Sequence, residues 1–285
     1  MGGTNRHRQF IGGMIFIKSL KDRIREIEKS KENTTDLEAN FLRDFNKALL
    51  DKESIQTHPK GLFRPSSIHG CARMLYLQQM GYKPDEKNLE DEWMYKLISI
   101  CECGTDRHTR IQEVVQHMQE LGLVKIVDIE EQVKEANSQG LDTEFVKWNK
   151  DRTEARCKSE RYHMYFQPDG LIEYQGVKCI LEIKTANGFK FKKVKTSGRP
   201  VSDHIEQATC YATMLGVDYI LFVYEDNNFK EKFVHLHKVD DFDKRKMAHK
   251  VDKMVKYLAD EEIPPRETDK CTYCKHKTVC KEIGE

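Results

Sequence analysis

Between residues 91 and 121 the apolar positions Ile111, Val114, Val115, Met118 and Leu121 recur every three or four residues, the spacing of one helix face. The same spacing predicts helices over "SDHIEQATCYATMLG" (202–216) and over roughly 241–260. Upstream, residues 18–53 crowd Lys, Glu, Asp and Arg around Leu20, Ile24 and Ile27, which predicts one or two solvated helices. "RPSSIHGCARMLYLQQMG" (64–81) reads as a further helix, with Ser66 or Ser67 as N-cap and Gly81 as its stop. Strands are predicted in "LVKIVDIEEQV" (123–133), "YHMYFQPDGLIEY" (162–174), "VKCILEIKTA" (177–186) and "YILFVYED" (219–226). Residues 134–160 are polar and without period, and read as a loop or insertion; "GFKFKKVKTSGRP" (188–200) reads as a basic loop. Helix, three strands, helix and strand make a mixed α/β core over 64–285, preceded by a charged helical extension over 1–63.

The strand "CILEIKTA" carries Glu182 and Lys184 two residues apart on one face. Taken alone, they form a salt bridge on an edge strand. Placing Gln175-Gly176 at the centre of a hairpin turn changes this. Pairing then runs 174 with 177, 173 with 178, 171 with 180 and 169 with 182, which sets Glu173 against Lys178 and Asp169 against Glu182. Directly opposed side chains stand about 4.5–5.5 Å apart at Cβ, so two carboxylates there destabilise the hairpin unless a cation or proton lies between them. Asp169, Glu182 and Lys184 thus make a candidate oxygen-ligand metal site with an ammonium beside it.

The composition narrows the partners. The 285 residues are one third charged and 38 % hydrophobic, as in a soluble globular protein, and no apolar run reaches the roughly 20 residues of a membrane span. The N-terminus has no proper signal-peptide core, which places the chain in a cytoplasm. A net charge of +1 gives no global attraction for nucleic acid, so such binding falls to local basic patches. Nine cysteines, an odd number, do not read as a disulfide framework; metal ligands or buried thiols remain.

"PDG" (168–170) and "EIK" (182–184) resemble the PD-(D/E)XK nuclease signature, a short pattern that also occurs by chance. Two further pieces stand in the family's order: "GTDRH" (104–108) is similar to the G-x-x-x-H helix of RecB-like nucleases, and "QATCY" (207–211) to their Q-x-x-x-Y motif. The resemblance covers roughly residues 64–284. It implies a restriction-endonuclease-like fold, a mixed central sheet flanked by helices, with an N-terminal helical part and a C-terminal metal-cluster tail. It also implies metal-assisted phosphodiester hydrolysis. One or two Mn²⁺ or Mg²⁺ ions would be held by His108, Asp169, Glu182 and the backbone carbonyl of Ile183; Lys184 would act on the attacking water, with Gln207 and Tyr211 beside it. An imidazole ligand favours Mn²⁺ somewhat more than an all-oxygen site does.

Cys271, Cys274 and Cys280 form C-x2-C-x5-C, three thiolates that need a fourth ligand. His276 completes a Cys3His zinc site, and Cys71 is the distant alternative. The Cys71 segment resembles that of the iron–sulfur branch of RecB-like nucleases, which includes CRISPR-associated spacer-acquisition exonucleases and the AddB nuclease domain. That likeness implies a [4Fe–4S] cluster on Cys71, Cys271, Cys274 and Cys280, tying the N-terminal helical part to the tail; zinc and free thiols stay open. Lys190, Lys192, Lys193, Lys195 and Arg199, interleaved with Phe189 and Phe191, are candidate DNA contacts, with Arg73 and Arg110 as lesser ones.

The chain carries no P-loop, so a helicase partner would be a separate polypeptide. The expected activity is a DNA exonuclease working on ends or single strands in replication, recombination, repair or spacer acquisition, in a prokaryote or its virus. The rivals are a structure-specific or restriction-type endonuclease and a non-catalytic DNA-end or replisome adaptor.

Overall fold

The computed structural model describes residues 37–46, 48, 62–85, 92–272 and 274–284, without the side chains of 92–98 and 101. It divides the chain into two units, Met1–Ser54 and Ile55–Glu285. In the first, residues 37–46 form helix α1, with Leu37, Phe41, Leu42 and Phe45 exposed. The rest of the expected 18–53 helices lies outside the described residues.

The second unit is built around a five-stranded mixed sheet in the order β1-β5-β6-β7-β8. Its strands are β1 (Lys125–Ile126), β5 (Gly170–Tyr174), β6 (Val177–Ala186), β7 (Tyr219–Asp226) and β8 (Lys232–Lys238). A smaller antiparallel sheet joins β2 (Thr143–Trp148), β3 (Ala155–Ser159) and β4 (Met164–Phe166), extended by a bridge from Phe63 to Met164. The helices are α2 (Ala72–Gln79), α3 (Glu92–Glu120), α4 (Ile129–Ser138), α5 (Gly188–Ser197), α6 (Ser202–Leu215), α7 (Asp241–Ala259) and α8 (Lys277–Glu282). Among the described residues no helix is long and apolar enough to cross a membrane.

Strand β6 has neighbours on both sides and both faces covered, which is why it reads as a near-continuous apolar run. Cys179, Leu181 and Ile183 pack with Ile111 of α3, while Ile180 joins the larger core with Ala208, Cys210 and Tyr211 of α6. The sheet is therefore held between α3 and α6. Glu182, on the Ile180 face, is 1 % exposed. Strands β6 and β7 run parallel, so the connection must cross over the sheet, and α5 and α6 make that crossover.

The structure revises several boundaries. The strand expected over 123–133 survives only as β1; Asp128 caps α4 instead, accepting from the Glu130 and Glu131 amides. Ile129, Val133 and Ala136 bury that helix on the core. The expected loop over 134–160 contains the rest of α4 together with β2 and β3. "YHMYFQPDGLIEY" is broken around Pro168 into β4 and β5, in different sheets, because proline cannot donate to a ladder. The basic loop over 188–200 is mostly helix α5, capped by Asn187 and stopped by Gly198 at φ 65°. Neither Ser66 nor Ser67 caps α2: Pro65–Ser67 is a 3-10 turn, and Cys71 stands at the N-cap without a side-chain bond.

Candidate active site

The β5–β6 hairpin sets the site. Gln175 and Gly176 have φ of 50° and 77°, the left-handed pair a two-residue hairpin turn requires. The ladder runs Tyr174 to Val177, Glu173 to Lys178, Leu171 to Ile180 and Gly170 to Leu181, the register expected from the sequence. Asp169 stands one residue before β5 and folds back on the sheet. Its Oδ2 accepts the Ile183 amide at 2.7 Å and its Oδ1 lies 3.2 Å from His108 Nδ1.

Helix α3 presents His108 because its neighbours pin that turn to the sheet end. Arg107 hydrogen-bonds Asn227, Arg110 Nη2 donates to Glu225 at 2.6 Å, and Gln112 Nε2 donates to the Asp169 carbonyl at 2.8 Å. Arg110 is thereby paired through Nη2 with the fully buried Glu225 carboxylate. Burial pushes the His108 imidazole down, but the hydrogen bond and charge of Asp169 prevail and raise its pKa.

Across the hairpin, Lys184 Nζ lies 2.6 Å from Glu182 Oε1 and donates to Gln207 Oε1 at 3.0 Å. Gln207 Nε2 donates to the Tyr211 hydroxyl at 2.9 Å, and the buried Tyr211 ring stacks on Phe166. Glu182, Lys184, Gln207 and Tyr211 are thus brought together. Tyr211 is 4 % exposed, so it orients Gln207 and does not reach DNA.

Glu182 is 1 % exposed, and the Lys184 ammonium 2.6 Å from Oε1 is the charge that partly offsets its burial. A buried carboxylate left in this state is costly unless a proton or cation joins it. Burial pushes its pKa up to about 7, with Lys184 opposing and Asp169 reinforcing the shift. Asp169 lies beside His108, and its charge also acts on Glu182.

A cation held by Glu182 would displace that proton, and on that reading Mn²⁺ affinity is expected to fall by up to about tenfold per pH unit below about 7. Titration calorimetry from about pH 5.5 to about pH 8.5 checks this. The raised pKa also means that the folded metal-free protein keeps a proton the unfolded chain has released. Stability from this group is therefore present at low pH and is lost as pH rises through about 7.

One acidic residue escaped the sequence reading. Glu154, at the end of the β2–β3 hairpin loop, joins His108 and Asp169 with ligand atoms all within 4.8 Å of one another; among the described residues no other group of three meets this spacing. Gln112 Nε2 donates to Glu154 Oε1 at 3.0 Å, and Gln167 Nε2 hydrogen-bonds Oε2. Asn149 Oδ1 accepts from the Thr153 and Glu154 amides, which fixes the loop. Glu182 lies outside this group, drawn to Lys184.

The candidate DNA contacts divide. Lys190, Lys192, Lys193, Lys195 and Arg199 are exposed on α5 and its end, with Lys195 ion-paired to Glu231. Phe189 is 82 % exposed, whereas Phe191 is 3 % exposed in the core and has no face to offer a base. Arg73 is also structural: it is buried, donating to the Pro264 carbonyl at 2.7 Å and the Gly284 carbonyl at 2.6 Å.

Those bonds dock the tail on α2. Asp85 caps the Thr278 amide, and Lys270 donates to the His69 carbonyl at 3.0 Å. Cys71, Cys271, Cys274 and Cys280 are all free thiols. Burial pushes the Cys274 thiol up, and charge on Cys71, Cys280 and Cys271 adds to the shift. His276 is 4 % exposed and turned toward Lys83 and Asp85. Among the described residues these ligand atoms do not form a group of three within 4.8 Å of one another.

No protein-family model matches the chain, and no curated protein does. Among solved structures, SSO0001 is similar over 84 % of this chain and 96 % of its own, at 12 % identity and a TM-score of 0.45. The alkaline exonuclease LHK-Exo of Laribacter hongkongensis is similar over 70 % of this chain and 89 % of its own, at 15 % identity and a TM-score of 0.39. The same enzyme solved with dAMP gives 0.40 over the same shares. At TM-scores under 0.5 these likenesses establish neither an activity nor a fold family for this chain.

Proposed function

We propose that this protein is a metal-dependent DNA nuclease of the RecB-like PD-(D/E)XK kind, an exonuclease acting on DNA ends or single strands. The observation that carries the reading is the convergence of charged groups at one end of the hairpin: Asp169 beside His108 and Glu154, and the buried Glu182 with the Lys184 ammonium at 2.6 Å. His108, Asp169, Glu182 and the Ile183 carbonyl would hold one or two divalent ions, with Glu154 as an added carboxylate. A bound Mn²⁺ or Mg²⁺ supplies Lewis acidity toward a phosphoryl oxygen and lowers the pKa of water. Lys184, held by Glu182 and Gln207, meets the negative charge that develops on the phosphoryl group. Asp169 holds His108 in place, and α5 offers Lys190, Lys192, Lys193 and Arg199 to the backbone of the strand.

A [4Fe–4S] cluster on Cys71, Cys271, Cys274 and Cys280 is part of the same reading, with a structural role. The setting is cytoplasmic, in replication, recombination, repair or spacer acquisition, with any helicase supplied by another polypeptide. The test is anaerobically purified protein with end-labelled single- and double-stranded DNA and Mn²⁺ or Mg²⁺. Cleavage from the ends that disappears in Asp169→Ala is the expected result. DNA binding with no cleavage in either metal, unchanged in that variant, would point to an adaptor instead.

A further inference from the structure

The three-stranded sheet has one face in the core and one face outward. On β3, Ala155, Cys157 and Ser159 are buried while Arg156 and Lys158 alternate outward; on β4, Tyr165 lies outward between buried Met164 and Phe166. Two rungs of this outer face differ in charge. Lys158 stands opposite Glu144 and ion-pairs with it at 3.1 Å. The next rung sets Lys147 against Arg156, two cations directly opposed. A register shift between Phe145 and Lys147 creates this pairing, since the extra residue turns Lys147 to the face of Arg156.

Like charges directly opposed in a ladder are destabilising. Among the described residues neither Lys147 nor Arg156 has a carboxylate partner; the one hydrogen bond of Arg156 runs from Nε to Gln167 Oε1 at 3.0 Å. That bond fixes the guanidinium and leaves its two terminal nitrogens available. A third cation stands close by. The Phe63–Met164 bridge lays Arg64 alongside Tyr165, and after burial the charge of Arg156 is among the causes that lower the pKa of Arg64. The same reasoning that placed a cation between two carboxylates places an anion here.

The location says which anion. Gln167 gives its oxygen to Arg156 and its amide nitrogen to Glu154, so one side chain separates this basic spot from the His108, Glu154 and Asp169 cluster. We infer that Lys147, Arg156 and Arg64 form a backbone-phosphate subsite that anchors a DNA strand next to its scissile phosphate, apart from the cations of α5. The planar fork of Arg156 suits two oxygens of one phosphate. The inference rests on the nuclease reading for its ligand.

The experiment measures binding of a labelled single-stranded oligonucleotide in EDTA, where no cleavage intervenes, for the full chain and for Lys147→Ala and Arg156→Ala across a salt series. Each variant is expected to weaken binding by about tenfold irrespective of sequence and to reduce the salt slope by about 0.7 per lost contact. Arg156→Lys keeps a charge and should recover part of the loss. Lys147→Ala touches neither Gln167 nor the core, so it reports on the subsite if Arg156→Ala perturbs Glu154. Unchanged affinity and slope in both alanine variants, in a protein that binds and cuts DNA, overturns the subsite and leaves the nuclease standing. A wild-type chain with no affinity for DNA removes both.

Discussion

Lys184→Met is expected to lower kcat for DNA cleavage by about 10²–10³ while leaving KM nearly unchanged. The ammonium is held between Glu182 Oε1 and Gln207 Oε1, and Gln207 is in turn fixed by the buried Tyr211 hydroxyl. A charge fixed in this way needs no reorganisation when negative charge grows on the phosphoryl group, so its removal falls on the transition state rather than on ground-state binding. Lys184→Arg should not restore the rate. The gap between two oxygens at 2.6 and 3.0 Å fits a compact ammonium, not a planar fork. Steady-state kinetics on end-labelled DNA separate kcat from KM. A Lys184→Met variant with full kcat and a raised KM would make the lysine a DNA tether instead.

The hairpin was legible because two local signals agreed. Gln175-Gly176 suits a turn with two positive φ values, and only one register pairs Glu173 with Lys178. The ladder follows that register as far as Gly170 against Leu181, and Asp169 turns off one residue earlier to accept the Ile183 amide. Glu154 was not legible: it sits in a polar stretch without period, and its approach to Asp169 depends on Gln112 from a helix 42 residues earlier. Helix α5 was hidden by its lysines, which mask the short apolar stripe of Phe191 and Val194. Its caps were readable, Asn187 before and Gly198 after, as was Asp128 three residues ahead of Glu131 for α4. Strand β8 was overlooked although Phe233, His235 and His237 alternate with exposed Val234 and Leu236, because the two histidines interrupt the apolar pattern.

Cys271→Ser, purified anaerobically beside the wild type, is expected to lose visible absorption, bound iron and about 10 °C or more of Tm. The physical reason is chain length. Cys71 and Cys271 have 199 residues between them, so a shared cluster closes a very long loop and removes about 5 kcal/mol of entropy from the unfolded chain. For a unit of this size each kcal/mol is worth about 2–4 °C. The tail should still dock in part, because Arg73, Lys270 and Asp85 hold it through bonds that need no cluster. Loss of stability with retention of fold is therefore the expected outcome, and Cys71→Ser should match it from the other end of the loop. Cys179→Ser, a buried thiol far from the tail in the α3-facing core, should leave the iron content unchanged. Iron, sulfide and zinc assays with a thermal melt distinguish the cases. A colourless wild type carrying zinc would replace the cluster with a smaller tie, and a metal-free wild type as stable as Cys271→Ser would leave the four cysteines as packing residues.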